Sequence, residues 1–150
     1  QTPQINEMDE TDSRFQYVTL KGIYYELDLK TKTANVYGTT TNGKEYTIKD
    51  QVSYHGTVCK VTEIGINAFY GNKKLKKITI GKNIKVIGKN AFYNCSKLKT
   101  ISIKSKKLVT IKKNAFKGTP KDSKMIIPKS KTKTYKKLLK NAKFKGSITT

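Results

Sequence analysis

Between Ile64 and Ile127 the chain repeats one segment three times, as Ile64-Gly65-Ile66-Asn67-Ala68-Phe69, Ile87-Gly88-Lys89-Asn90-Ala91-Phe92 and Ile111-Lys112-Lys113-Asn114-Ala115-Phe116. The phenylalanines are 23 and 24 residues apart (69 to 92, 92 to 116). Apolar residues follow at matching offsets: Leu75, Ile78 and Ile80, then Leu98, Ile101 and Ile103, then Met125 and Ile127. Ile78 and Ile80 alternate with Thr79, as Ile101 and Ile103 do with Ser102, which predicts a short strand with one buried face per copy. Parallel strands lie about 4.8 Å apart, so equivalent residues of successive copies stack into columns. One copy cannot bury its apolar side alone. Its neighbours supply the missing wall, and the chain winds as a solenoid.

Three columns are read from the repeat. Phe69, Phe92 and Phe116 should form an aromatic spine, and the Ala before each fits a tight corner between coils. Asn67, Asn90 and Asn114 recur one position earlier, where their amides are expected to satisfy backbone groups of the turn rather than a ligand. A period of about 20 to 29 residues with this skeleton marks a leucine-rich repeat. The pattern I-G-x-N-A-F, then Leu, then I-x-I resembles the BspA-type leucine-rich repeats of bacterial surface proteins, strongly over residues 64–128, including the Pro of Ile126-Ile127-Pro128. Three departures fall in or before the third copy: Asp122 for Leu, Lys112 for Gly, and one extra residue among 105–107. They predict a less regular third coil.

The expected fold is therefore a β-rich leucine-rich-repeat solenoid, with short parallel strands on its concave side, a β-hairpin cap at the N-terminus and an α-helical cap at the C-terminus. Residues 1–13 carry Glu7, Asp9, Glu10 and Asp12 with few apolar anchors and read as a flexible leader. Residues 14–62 read as the N-terminal β cap with a degenerate first coil. Tyr25, Leu27 and Leu29 lead through a polar turn to Ala34 and Val36, Asn42-Gly43 is a turn signal, and Tyr46 to Val52 mimics one coil. Six of the nine tyrosines fall between Tyr17 and Tyr54, where half-buried strands favour them. Residues 63–131 hold the three repeats. Residues 132–150 form a capping helix and tail, with Tyr135, Leu138, Leu139 and Ala142 on one face, lysines on the other, and Thr132 or Thr134 as N-cap.

Length suits one compact domain, and 35% hydrophobic content suits a slim solenoid. No apolar run approaches the ~18 to 20 residues of a membrane span. The chain opens on Gln1 without a signal peptide, as a processed product would. Its net charge of +22 is uneven, because residues 64–150 hold 25 Lys against a single acid, Asp122. Arg14 is the one arginine, so a lysine surface attracts polyanions diffusely instead of reading them with guanidinium forks.

Cys95 stands where the resemblance places a cysteine, and it is expected to be an inert core thiol; a disulfide to Cys59 is the lesser expectation. Without CxxC spacing, and with His55 as the one imidazole, no metal or cofactor site is expected. No nucleophile accompanies His55, which reads as an exposed turn residue, and no catalytic residue is assigned.

Residues pointing out of the strands form the candidate ligand face: Lys77, Thr79, Thr100, Ser102, Lys104, Lys124 and Ile126. Lys74, Lys97 and Lys121, five residues after each Phe, form a candidate polyanion ridge. The resemblance implies a non-enzymatic, secreted or surface-displayed adhesion module whose partner is a host extracellular-matrix or cell-surface protein. The alternatives are binding of a polyanion (teichoic acid, sulfated glycan or nucleic acid) through the lysine surface, and a structural spacer. Oligomeric state is open, with a monomer favoured.

Overall fold

The computed structural model describes residues 14–40 and 43–150. The leader of residues 1–13, and Asn42 of the Asn42-Gly43 turn, lie outside the described residues.

Twelve strands among the described residues share one apolar core. In chain order they are β1 (Phe15–Leu20), β2 (Ile23–Asp28), β3 (Thr33–Thr39), β4 (Glu45–Thr47), β5 (Gln51–Tyr54), β6 (Thr57–Ile64), β7 (Lys77–Ile80) and β8 (Val86–Ile87), then β9 (Thr100–Ile103), β10 (Thr110–Ile111), β11 (Lys124–Ile126) and β12 (Ser147–Thr149). A single helical turn, Lys129–Lys131, precedes the helix α1 (Thr132–Asn141). One sheet runs β1-β2-β3-β6-β8-β10, with β5 hairpinned on β6; the other runs β12-β11-β9-β7-β4 and is parallel throughout. Each coil thus gives a strand to each sheet. The antiparallel pairs lie in the N-terminal part of the chain, where β1 pairs β2, β2 pairs β3 and β5 pairs β6.

The phenylalanine spine is present. Phe69 stacks on Phe92 with centroids 4.9 Å apart, and Phe92 on Phe116 at 5.1 Å, with near-parallel planes. All three are buried. Tyr46 extends the row at one end, 6.4 Å from Phe69. At the other end Phe144, which lies beyond the repeats, meets Phe116 edge-on at 5.9 Å. Both ends of the spine are thereby covered. Ala68, Ala91 and Ala115 are buried beside the rings, and at Gly88 a Cβ would lie 2.7 Å from the backbone of Gly65, so the coils touch through backbone there.

The asparagine column works differently from the expectation. Asn67, Asn90 and Asn114 have φ of 58°, 56° and 59°, the left-handed region that Asn tolerates better than most residues. Asn90 Oδ1 is buried with no hydrogen-bond partner, so its amide is not what the turn requires. The recurring residue supplies a backbone conformation. A second left-handed position follows two residues after each Phe, at Gly71, Asn94 and Gly118. These paired reversals fold the Ala-Phe segment over the core. They leave its N–H groups to bond the next coil: Phe69 N–H donates to Ala91 O at 2.7 Å and Phe92 N–H to Ala115 O at 2.8 Å.

The third coil keeps the ladder despite its departures. Lys112 N–H donates to Ile87 O at 2.9 Å, as Gly88 N–H does to Ile64 O at 2.7 Å. Asp122 turns outward to pair with Lys99, and Ser123 enters the core in its place, its hydroxyl donating to Leu98 O at 2.6 Å. The extra residue near Ser105 is tied in as well. Ser105 Oγ donates to Ile84 O, and Ser105 O accepts the Tyr135 hydroxyl at 2.8 Å. Tyr135, Leu139 and Ala142 are buried and seal the last coil. Neither Thr132 nor Thr134 is the N-cap: Lys131 holds that position without a side-chain bond, and Thr132 begins the helix, its hydroxyl donating back to Lys129 O. The tail is also more than a tail, since β12 adds a parallel strand to β11.

In the cap, Tyr25 and Tyr46 pack inside, but Tyr17 and Tyr37 are exposed and meet edge-on, with Tyr24 stacked on Tyr37. Packing thus accounts for only part of this tyrosine cluster. His55 is exposed in a two-residue turn with Gly56, both at positive φ, closing the β5–β6 hairpin.

Replacing Phe92 with Ala removes a ring stacked on both sides and should cost about 3–5 kcal/mol; urea unfolding followed by circular dichroism measures it. A second prediction concerns β1. The Arg14 guanidinium grips Asp28 through two bonds of 3.0 and 2.9 Å, and, with backbone N–H groups of Thr31 and Lys30, holds that carboxyl well below the usual carboxylate range. Folding lowers this pKa, so the stabilisation is complete above the ordinary value of 3.8 and fades as pH falls below it. Amides of β1 should exchange little faster at pH 4.5 than at pH 7 and clearly faster once exchange is corrected to about pH 2.5.

Candidate ligand-binding face

Strand pairing brings most of the predicted face together. Residues Glu45, Lys77, Thr100, Lys124 and Ser147 lie opposite one another across β4, β7, β9, β11 and β12, and Thr47, Thr79, Ser102, Ile126 and Thr149 form the next column. Between them run the inward residues Tyr46, Ile78, Ile101, Met125 and Ile148. Alternation is the whole reason: an inward apolar residue every second position forces its neighbours outward. Lys77 and Lys124 are exposed, and Ile126 is 38% exposed. Ser102 faces the same way yet is only 8% exposed, shielded at mid-sheet, so it can offer a hydrogen bond but little area. Lys104 lies just past β9, its N–H bonded to Ile80 O at 2.9 Å.

Ser147 and Thr149 belong to this face and were not foreseen. Their only signal is a three-residue alternation around Ile148, too short to separate from a loop. At the N-terminal side the face opens into a groove of about 1120 Å³ bounded by Thr47, Lys49, Asp50, Thr79 and Lys104. Asp50 is already engaged, accepting the Lys82 N–H at 2.7 Å.

The ridge lysines Lys74, Lys97 and Lys121 are exposed on segments leading into β7, β9 and β11, apart from the sheet face. Like charges ~8 Å apart in water repel by only ~0.5 kcal/mol, and salt reduces that further, so such a row costs the fold little. Beside it Tyr70 and Tyr93 stack with centroids 5.0 Å apart.

Among the described residues no three or more His, Cys, Asp or Glu side chains gather as metal ligands, and no helix is long and apolar enough to cross a membrane. Cys59 and Cys95 are free and buried. Burial pushes the Cys95 thiol up to about 12, and its Sγ donates to Phe69 O at 3.1 Å. Burial raises Cys59 too. Both thiols should therefore resist a disulfide reagent such as DTNB at pH 8 and react promptly in urea; rapid labelling of the folded chain would contradict this burial.

A family profile described as "BspA type Leucine rich repeat region (6 copies)" matches residues 11–145. Among solved structures, a leucine rich cell surface protein from Faecalibacterium prausnitzii A2-165 is 27% identical with a TM-score of 0.63, covering 75% of this chain and 30% of that one. A leucine-rich repeat protein from Bacteroides ovatus ATCC 8483 is 26% identical with a TM-score of 0.58, covering 75% of this chain and 38% of that one. One from Bacteroides capillosus ATCC 29799, 23% identical with a TM-score of 0.65 over 76% of this chain and 83% of that one, shares the fold. This chain therefore spans less than half the length of the Faecalibacterium and B. ovatus proteins. The curated proteins contain no match. Repeat, spine, paired sheets and profile agree: the chain belongs to the BspA-type leucine-rich-repeat family, whose solenoids are characteristically non-catalytic scaffolds.

Proposed function

We propose that this protein is a secreted or surface-displayed adhesion module that docks a host extracellular-matrix or cell-surface protein on the outward face of its five-stranded sheet. The observation carrying this reading is the register itself, which holds two columns of polar side chains and the exposed Ile126 in one rigid array. Surface display is inferred from the likeness to the F. prausnitzii cell surface protein.

Size decides how the face would be used. Five strands at about 4.8 Å, each three or four residues long, make a patch of only about 19 by 12 Å. Specific interfaces need ~800 Å² per partner. A partner must then extend beyond the strands, and the groove beside Lys49 and Lys104 is the adjoining concave surface. Ile126 supplies the apolar contact at the opposite side. A polyanion is the second reading, favoured by the 25 lysines of residues 64–150 and the exposure of Lys74, Lys97 and Lys121; affinity of that kind falls steeply with salt.

The test is a panel of purified matrix and cell-surface proteins probed with the chain at physiological salt. Lys77→Glu, Thr79→Lys, Thr100→Lys and Ile126→Lys combined should weaken binding of the protein partner at least tenfold, about 1.4 kcal/mol. Unchanged binding would remove the sheet face from consideration.

A further inference from the structure

A cleft of about 700 Å³ opens between the β2–β3 turn, the β5–β6 hairpin and the segments entering β8 and β10. Its volume lies within the ~300–1,000 Å³ usual for small-ligand sites. Four lysines line it: Lys32, Lys60, Lys85 and Lys107. Backbone bonds bring the segments that carry them side by side: Lys60 N–H donates to Lys32 O at 3.0 Å, Lys85 N–H to Thr62 O at 2.7 Å, and Val109 N–H, two residues beyond Lys107, to Lys85 O at 2.9 Å. The four lysines therefore sit on neighbouring segments: Lys32 just before β3, Lys60 within β6, and Lys85 and Lys107 on the approaches to β8 and β10.

No carboxylate side chain lines the cleft. The ion pairs among the described residues, Arg14–Asp28 and Lys99–Asp122, involve none of these lysines. Lys107 Nζ instead donates to the neutral Asn83 Oδ1 at 2.8 Å, which orients it. The walls are otherwise hydroxyl and amide groups, among them Thr57, Thr62, Gln51 and Asn83, and no aromatic ring is present.

We propose that this cleft binds a short segment of acidic glycan, the four ammonium groups taking its sulfates or carboxylates and the hydroxyl and amide side chains its sugar hydroxyls. Four cations on neighbouring segments, with no carboxylate among them, suit a polymer that carries several negative charges. Nucleic acid fits less well, because single-stranded binders stack bases on aromatic rings and the cleft has none. The proposal narrows the polyanion reading, on which it rests for an anionic ligand, to one place and one chemistry away from the Lys74 ridge.

The experiment titrates the whole chain calorimetrically at about 0.15 M salt with four octamers: a sulfated heparin fragment, a hyaluronan fragment bearing carboxylates alone, neutral maltooctaose and oligothymidylate. Two variants each remove three charges, Lys60→Gln/Lys85→Gln/Lys107→Gln in the cleft and Lys74→Gln/Lys97→Gln/Lys121→Gln on the ridge. All six side chains are exposed, and circular dichroism checks that both variants fold. The proposal expects an acidic glycan to bind, maltooctaose not to bind, and the cleft variant to lose at least tenfold while the ridge variant loses less than threefold. The heparin and hyaluronan arms decide between sulfate and carboxylate. Equal losses in the two variants, or wild-type affinity in the cleft variant, overturn the cleft but leave polyanion binding standing. Oligothymidylate bound as tightly as the glycan overturns the glycan assignment. Failure of every anion to bind overturns cleft and polyanion reading together.

Discussion

Coil-to-coil contact through the stacked rings of Phe69, Phe92 and Phe116 is the constraint from which the rest follows. Each ring buries its faces against the copies before and after it, so no coil is stable without neighbours. The rings stack only if the coils keep one pitch, and that explains several small features at once. Glycine at 88 lets backbone approach backbone, alanine precedes each ring, and two left-handed residues bracket each Ala-Phe pair. The requirement differs from coil to coil: a Cβ at Gly88 would meet the Gly65 backbone at 2.7 Å, whereas Lys112 holds the equivalent place in the third coil with the ladder intact.

A solenoid has two ends, and here each end is covered by borrowed chemistry. Tyr46 continues the spine toward the N-terminal cap, its hydroxyl held by Thr40 O and the Gly43 N–H. At the C-terminus Phe144 meets the last ring while Tyr135 plugs the irregular third coil with a hydroxyl that both donates and accepts. The irregularity near Ser105 and its seal are complementary. The extra residue leaves a buried carbonyl, and α1 brings the donor that satisfies it.

The same winding that builds the core also sorts the surface. Positions between inward residues point outward in every coil, so a sequence rich in lysine at those positions becomes rows of charge. Such rows cost little while water surrounds them. They acquire direction only where the fold gathers them, as at the cleft holding Lys60, Lys85 and Lys107. A lone lysine on a convex surface and a lysine in that cleft are indistinguishable in the sequence. The chemistry a partner meets differs.

Period and alternation were sufficient for the repeats, their spine, the columns Thr79–Ser102 and Lys77–Thr100, and the sealing role of Tyr135 and Leu139, because each is a local pattern with one geometric meaning. Tertiary structure decided what depended on contacts distant in sequence. Phe144 and β12 carry too short a pattern to be read, yet the last coil gives them a partner. Ser123 enters the core where Asp122 stands in place of Leu, because only packing determines which side chain can be satisfied inside. The lysine cleft exists because strands β3, β6, β8 and β10, far apart along the chain, are brought side by side by the winding of the coils.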